Sequence, residues 1–170
     1  DASSIIAARE ERNLEFKTAA HSFSENKDLP DYYAALANEG GGKLILGVDP
    51  TPRIVGTKAF WGTHNRLSHK LLMKLKIRVD VEELMHPRGR VLIFHVPPHP
   101  AGQPIKSTGN YHYYPMRAGE SLIEMDNMTL KQILNEAVGR VKESLQFGFF
   151  KRPSISSKMV LSTTLKEGDR

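Results

Sequence analysis

A chain of 170 residues, 39% hydrophobic and 25% charged, is long enough to bury a core as one domain without disulfides. It has no cysteine, which excludes a disulfide scaffold, a thiolate zinc site and a cysteine nucleophile. No apolar run approaches the roughly 20 residues that span a bilayer, and no secretory leader is visible, so a cytoplasmic protein without membrane contact is expected. The net charge of +5 is uneven: residues 1–50 hold nine acids and five bases, net −4, which leaves +9 for residues 51–170. That asymmetry suits a carboxylate site beside a polyanion-binding surface, or ordinary scatter of solvated charge.

In chain order, Ala2 to Arg12 reads as a short helix. Leu14, Phe16 and Thr18 alternate with Glu15, Lys17 and Ala19, a strand period. After a polar loop, Pro30 suits the first turn of a helix that continues through Tyr33, Leu36 and Ala37 and stops at Gly40-Gly41-Gly42. The run Lys43–Val48 is apolar on both faces, as a central strand is. Asp49-Pro50-Thr51-Pro52 is a turn, and Arg53–Gly56 a short return strand. His64–Lys76 has the amphipathic helical period, with Leu67, Leu71, Leu72 and Leu75 as its apolar stripe. Arg78–Met85 and Arg90–Val96 flank a turn at Pro87-Arg88-Gly89 and read as a hairpin. Pro97–Pro104 is an exposed loop and Tyr111–Arg117 another strand. Thr129-Leu130-Lys131-Gln132 has capping-box spacing ahead of a helix striped by Leu130, Ile133, Leu134, Ala137, Val141 and Leu145. These elements predict an α+β fold: a mixed, mostly antiparallel sheet with helices packed on it, over residues 1–146. Residues 147–170 read as a basic tail or a loosely docked segment.

Three constellations carry chemistry. Side chains two apart on a strand share a face, so Glu15 and Lys17 project together, with Asp49 at the exit of the central strand and Glu10 just ahead of the first. Three converging carboxylates would hold a hard cation, Mg²⁺ or Mn²⁺, which activates water and neutralises a phosphate in flight, with the lysine steadying the anion. A Glu-x-Lys triplet is equally a solvated ion pair. Arg66, Lys70 and Lys74 are four apart and line one helix face, extended by Lys76 and Arg78. Such a row follows a phosphate backbone or is simply solvated. Lys106 and the segment Tyr111–Arg117 interleave bases with aromatics, which suits stacking and phosphate contact. A half-buried strand explains most of the aromatics equally well, so Lys106 and Arg117 are the stronger candidates. The triple glycine lies between helix and strand and lacks the Lys-Ser/Thr of a phosphate loop, so no ATP is expected. The seven histidines have no zinc spacing, and His95, inside an apolar strand, is expected to be a hydrogen-bonded core residue.

In order, Glu10-x4-Glu15-Phe16-Lys17, Tyr33–Asn38, Gly40–Asp49, Ile54-Val55-Gly56, Val91–Pro97, Tyr114–Arg117 and the helix at Thr129 resemble the AlbA-type domain of the Schlafen family over about residues 9–137. The resemblance implies a nucleic-acid-binding lobe. It also implies that Glu10, Glu15 and Asp49 match the acidic triad of family members that are metal-dependent endoribonucleases acting on tRNA and related RNAs. RNA is then favoured over DNA as partner, Glu10, Glu15, Lys17 and Asp49 are catalytic, and the first, second and fourth bind the metal. Arg66, Lys70, Lys74, Lys76, Lys106 and Arg117 would grip the strand. The alternative is a non-catalytic DNA- or RNA-binding module of a transcriptional regulator. Family enzymes pair two lobes into a groove, so an equivalent groove built from this single lobe would require a homodimer. Glu11 replaces a usually small hydroxylated residue, and Asp49-Pro50 replaces a common Asp-Asp.

Overall fold

The computed structural model describes residues 13–109 and 113–151, with side chains described as far as residue 139. The expected N-terminal helix, Glu10, Tyr111, His112, the side chains of Val141 and Leu145 and the segment 152–170 lie outside the described residues. In chain order the elements are β1 (Leu14–Lys17), α1 (Asp28–Asn38), β2 (Gly42–Leu46), α2 (Leu67–Leu75), β3 (Asp80–His86), β4 (Gly89–Val96), β5 (Pro115–Ala118), β6 (Ser121–Glu124) and α3 (Asn127–Lys151). The fold is α+β, as the patterning predicts.

Four strands form one sheet in the order β1-β2-β4-β3. β1 runs parallel to β2, and the other two pairings are antiparallel. The doubly apolar runs take the two central places. Leu44, Leu46, Leu92, Phe94 and Val96 bury one face of the sheet under α1 and α2, joined by Tyr33, Leu36, Leu67, Leu71 and Leu75. Tyr33 meets Phe94 edge-on, with ring centroids 5.6 Å apart, a favoured aromatic geometry. The opposite face holds the smaller cluster of Ile45, Val48 and Val91, flanked by Leu14, Phe16 and Ile93. A β-strand alternates its side chains, so Leu14 and Phe16 fall on that second face, and Glu15 and Lys17 turn toward α1.

Glycine is required where α1 gives way to β2. Gly41 has φ +87°, and a Cβ there would stand 2.8 Å from both the nitrogen of Pro98 and the carbonyl oxygen of Val96. The turn therefore lies directly under the loop that leaves β4, a tight turn rather than a ligand cradle.

Several expectations change in detail. The first turn of the 64–76 helix is 3-10, His64–Arg66, and α2 proper starts at Leu67. Leu67, Leu71 and Leu75 form a buried i, i+4 stripe, but Leu72 is 41% exposed, being one residue off that stripe. Arg53–Gly56 contributes a single bridge, Val48 to Ile54, rather than a strand. His95 is hydrogen-bonded as expected, but to Glu82 on the solvent side, Nε2 to Oε2 at 3.0 Å. It points away from the core that Phe94 and Val96 enter. The last helix starts earlier than its capping-box spacing suggests. Asp126 is the cap, accepting from Thr129 N–H and Oγ1 at 2.8 Å each, so Thr129 sits inside the first turn. These bonds hold the Asp126 carboxyl below its usual range. Ile133 is the buried anchor of that helix, and Leu134 is half-exposed.

The β5–β6 hairpin forms its own two-stranded sheet. Asn38 is one of the side chains of α1 that fasten the hairpin and the loop before it. Asn38 Nδ2 donates to the carbonyls of Ile105 at 3.0 Å and Pro115 at 3.3 Å, and Ile105 N–H donates to Asn38 Oδ1 at 2.7 Å. One buried amide thus satisfies both backbone groups of Ile105, which lies outside any strand, and the carbonyl of Pro115 at the start of β5.

Candidate nucleic-acid interface and acidic cluster

The two groups of residues singled out by spacing occupy two different places. On the edge strand β1, Glu15 and Lys17 do share a face: Lys17 Nζ is 3.0 Å from Glu15 Oε1 and lies 4.7 Å from the ring centre of Tyr32. Burial pushes the Lys17 ammonium pKa down, but hydrogen bonds and charge from Tyr32 and Glu15 more than offset it, so the net direction is up. The other oxygen of Glu15 is taken by Arg117, whose Nη1 donates at 3.1 Å.

Arg117 is held on all sides. Its Nε donates to Glu39 Oε2 and its backbone N–H to Glu39 Oε1, both at 2.7 Å, while Nη1 also reaches the carbonyl of Leu14 at 2.9 Å. Glu39 is the residue at the end of α1. The guanidinium therefore ties β5, α1 and β1 together. Burial alone would lower its pKa, yet Glu39 and then Glu15 raise it. Arg117 is a structural clasp here, not a free phosphate contact, and Glu39 is a partner that spacing did not reveal.

Asp49 closes a turn. Its Oδ1 accepts from Thr51 N–H at 2.9 Å, Thr51 Oγ1 at 2.6 Å and Arg53 N–H at 3.3 Å. Its Oδ2 accepts from Arg53 Nε at 3.1 Å and faces Nη2 at 3.0 Å. The bond from Thr51 leads these in holding the Asp49 carboxyl below its usual range. Both described members of the expected metal site thus already give both oxygens to donors. Among the described residues no group of three or more Asp, Glu or His side chains is placed to hold a metal ion. As arranged, the oxygens of Glu15 and Asp49 are held by protein donors, and cations of the chain already stand beside both carboxylates. An open cleft of about 300 Å³ runs past Glu15, bounded also by Lys17, Thr18, Pro50, Gly119 and Glu120.

The basic residues divide. Lys70 pairs with Glu25 at 2.7 Å, and Arg66 stands at the far end of the helix, in the 3-10 turn. Lys74 and Lys76, at the C-terminal end of α2, converge instead with Lys106 of the loop before β5. The three line one open groove of about 400 Å³, walled by Pro100, Pro104 and Thr108 and floored by Leu75 and Ile105. Lys76 takes the left-handed conformation, φ +60°, that ends α2. Lys74 Nζ accepts no counter-charge there; it donates to the neutral Oδ1 of Asn26 at 2.5 Å. Among the described residues, no carboxylate pairs with any of these three lysines.

The groove's loop is fixed from below. Asn38 holds Ile105 as described. Two helical turns earlier the buried carboxylate of Asp31 accepts a hydrogen bond from Ser107 Oγ. Gly109 N–H donates to the same Ser107 oxygen at 3.0 Å. Sequence spacing ranks Lys106 and Arg117 ahead of Tyr113. Its carbonyl accepts from Ser107 N–H at 2.9 Å, and its ring is 63% exposed.

Comparison with known proteins gives three findings. A family model described as Schlafen, AlbA_2 matches residues 10–126. Comparison with curated protein sequences returns no match. Among solved structures, the DIP2311 protein from Corynebacterium diphtheriae superposes with a TM-score of 0.60 at 23% identity, over 78% of this chain and 30% of that one. This chain therefore spans less than a third of that protein, and the likeness is one of fold. The N-terminal domain of a "Putative ATP-dependent DNA Helicase RecG-related Protein" from Nitrosomonas europaea aligns over 74% of this chain and 92% of its own, at 18% identity and a TM-score of 0.44.

Proposed function

The chain belongs to the Schlafen AlbA_2 family, and from that premise we propose that it binds nucleic acid through the groove of Lys74, Lys76 and Lys106, and that it does so without cutting the strand. The single observation that carries this reading is one concavity lined by three lysines from two separate elements, none of them paired with a described carboxylate. Unpaired lysines repel one another, and a phosphodiester backbone relieves that repulsion while releasing its own condensed counterions. A concave surface of one sign also concentrates its field on a ligand of the other.

The non-catalytic reading rests on the acidic cluster. Metal-dependent cleavage would bring a cation up to Glu15 beside the charges of Lys17 and Arg117, and up to Asp49 beside that of Arg53, and like charges at such range repel. Glu15 and Arg117 are largely buried, and separating a charge pair there leaves an uncompensated charge.

The test is incubation of the wild-type chain with fluorescently labelled tRNA in the presence of Mn²⁺, read by anisotropy and on a denaturing gel. The expected result is saturable binding to RNA that stays full-length. A variant carrying Lys74→Ala, Lys76→Ala and Lys106→Ala should bind about tenfold more weakly or worse at about 0.1 M salt. Unchanged affinity in that variant removes the groove from the account. Cleavage that Glu15→Ala abolishes establishes the metal-dependent endoribonuclease instead.

A further inference from the structure

We infer that the groove is built for a single strand, with Tyr113 as the platform for one base and Lys106 as the contact for its phosphate. This inference rests on the groove being the nucleic-acid site and adds the form of the ligand to that reading.

Among the described residues, Tyr113 is an exposed aromatic that stands against a lysine of the groove. Tyr33 is fully buried against Phe94, Tyr32 packs beside Phe23 and under Lys17, and Trp61 stacks on the guanidinium of Arg90. Tyr113, like Trp61, is exposed and meets a cation, but its cation is Lys106 of the groove. Its position is nevertheless fixed, because the hydrogen bond from Ser107 N–H to its carbonyl ties it to the loop that lines the groove. That loop is in turn anchored to α1 through Asp31 and Asn38. Lys106 Nζ lies 4.3 Å from the centre of the Tyr113 ring, within the range of a cation–π contact.

A cation beside an exposed ring matches the two parts of one nucleotide. The ring offers a flat face to a base, and the ammonium offers charge to the phosphate next to it. Stacking of this kind tolerates any base, because each has a π-face. A duplex keeps its base faces covered by their neighbours, so it can use the lysines but not the ring. The apolar floor of Leu75 and Ile105 and the flanking Pro100 and Pro104 likewise suit an unpaired base better than a second phosphate backbone.

The experiment compares fluorescein-labelled oligo-dT and oligo-U of about 12 nucleotides, within the usual site size, with their duplexes, by anisotropy at one fixed salt concentration. Wild type should bind a single strand more tightly than the duplex. Tyr113→Ala should weaken single-strand binding by about five- to a hundredfold, as loss of one stacked base does, and leave duplex binding within about twofold. Tyr113→Phe should retain single-strand binding, since the ring and not the hydroxyl stacks. Equal or tighter binding of duplex, or a Tyr113→Ala variant that matches wild type on single strands, overturns the inference while leaving the groove itself standing. Loss of both ligands in the triple lysine variant, together with the Tyr113 effects, supports both readings. Wild-type affinity in the triple variant overturns the groove. Tyr113 is mostly exposed, so its variants are expected to keep the wild-type melting temperature.

Discussion

Replacing Asn38 with alanine should destabilise the protein far more than loss of one side chain on a helix. Asn38 ends α1, the side chain is almost fully buried, and it makes three hydrogen bonds to backbone groups of Ile105 and Pro115. Alanine leaves the Ile105 N–H and C=O without a partner beneath a buried loop. An abandoned buried group costs about 1–3 kcal/mol, so two of them, with the third bond long at 3.3 Å, should cost about 2–4 kcal/mol. For a chain of this size that corresponds to a fall in Tm of about 5–15 °C. Calorimetry and urea denaturation read the loss directly. Asn38→Asp separates hydrogen bonding from volume. It keeps the acceptor for Ile105 N–H but, when ionised, turns a negative oxygen toward two carbonyls. Its carboxyl pKa should be raised in the folded state, so the variant should lose stability as pH rises and regain part of it below about pH 4. A loss under about 1 kcal/mol in Asn38→Ala, with hydrogen exchange in the 105–109 loop unchanged, would refute the fastening role and the claim that α1 sets the groove.

Two further outcomes follow from particular contacts. Asp49 and Asp126 are both held below the usual aspartate range. A depressed folded pKa contributes stability that is complete above the unfolded value, about 4, and is lost as pH falls through the folded value. Tm should therefore fall as pH drops below about 4, and Asp126→Asn should flatten that fall, which a calorimetric pH series would show. Gly47 has φ +93°, and a Cβ there would stand 2.6 Å from the carbonyl oxygen of Arg90, whereas Gly62, at φ +70°, has nothing within 4 Å. Gly47→Ala should cost clearly more than the roughly 1–2 kcal/mol of left-handed strain expected for Gly62→Ala; equal melting temperatures for the two would contradict the close approach.

The parts of this fold that are local were legible in the sequence. Apolar runs on both faces put β2 and β4 at the centre of the sheet, the period of two put Glu15 and Lys17 on one face, and the triple glycine marked the turn into β2. Spacing failed where long-range side-chain pairing decides. Arg117 meets Glu39, 78 positions away, so a residue read as a phosphate contact became a clasp. Asp49 lies at the strand exit as expected, but its turn binds both oxygens, which spacing does not encode. The helical period could place Lys70 and Lys74 on one face. It could not show that Glu25 would pair with the first, or that a loop pinned by Asp31 and Asn38 would bring Lys106 to the second. Tyr113 ranked behind Lys106 and Arg117 because alternation along its segment suited a half-buried strand, yet β5 starts only at Pro115.

The dependence of affinity on salt tests the central claim most directly. Plotting log Kd against log salt concentration for a labelled single strand counts the phosphates neutralised, at about 0.7 per phosphate. If Lys74, Lys76 and Lys106 each take one, the slope should lose about 2 when all three become alanine. A triple variant with the wild-type slope would show that the strand is held elsewhere.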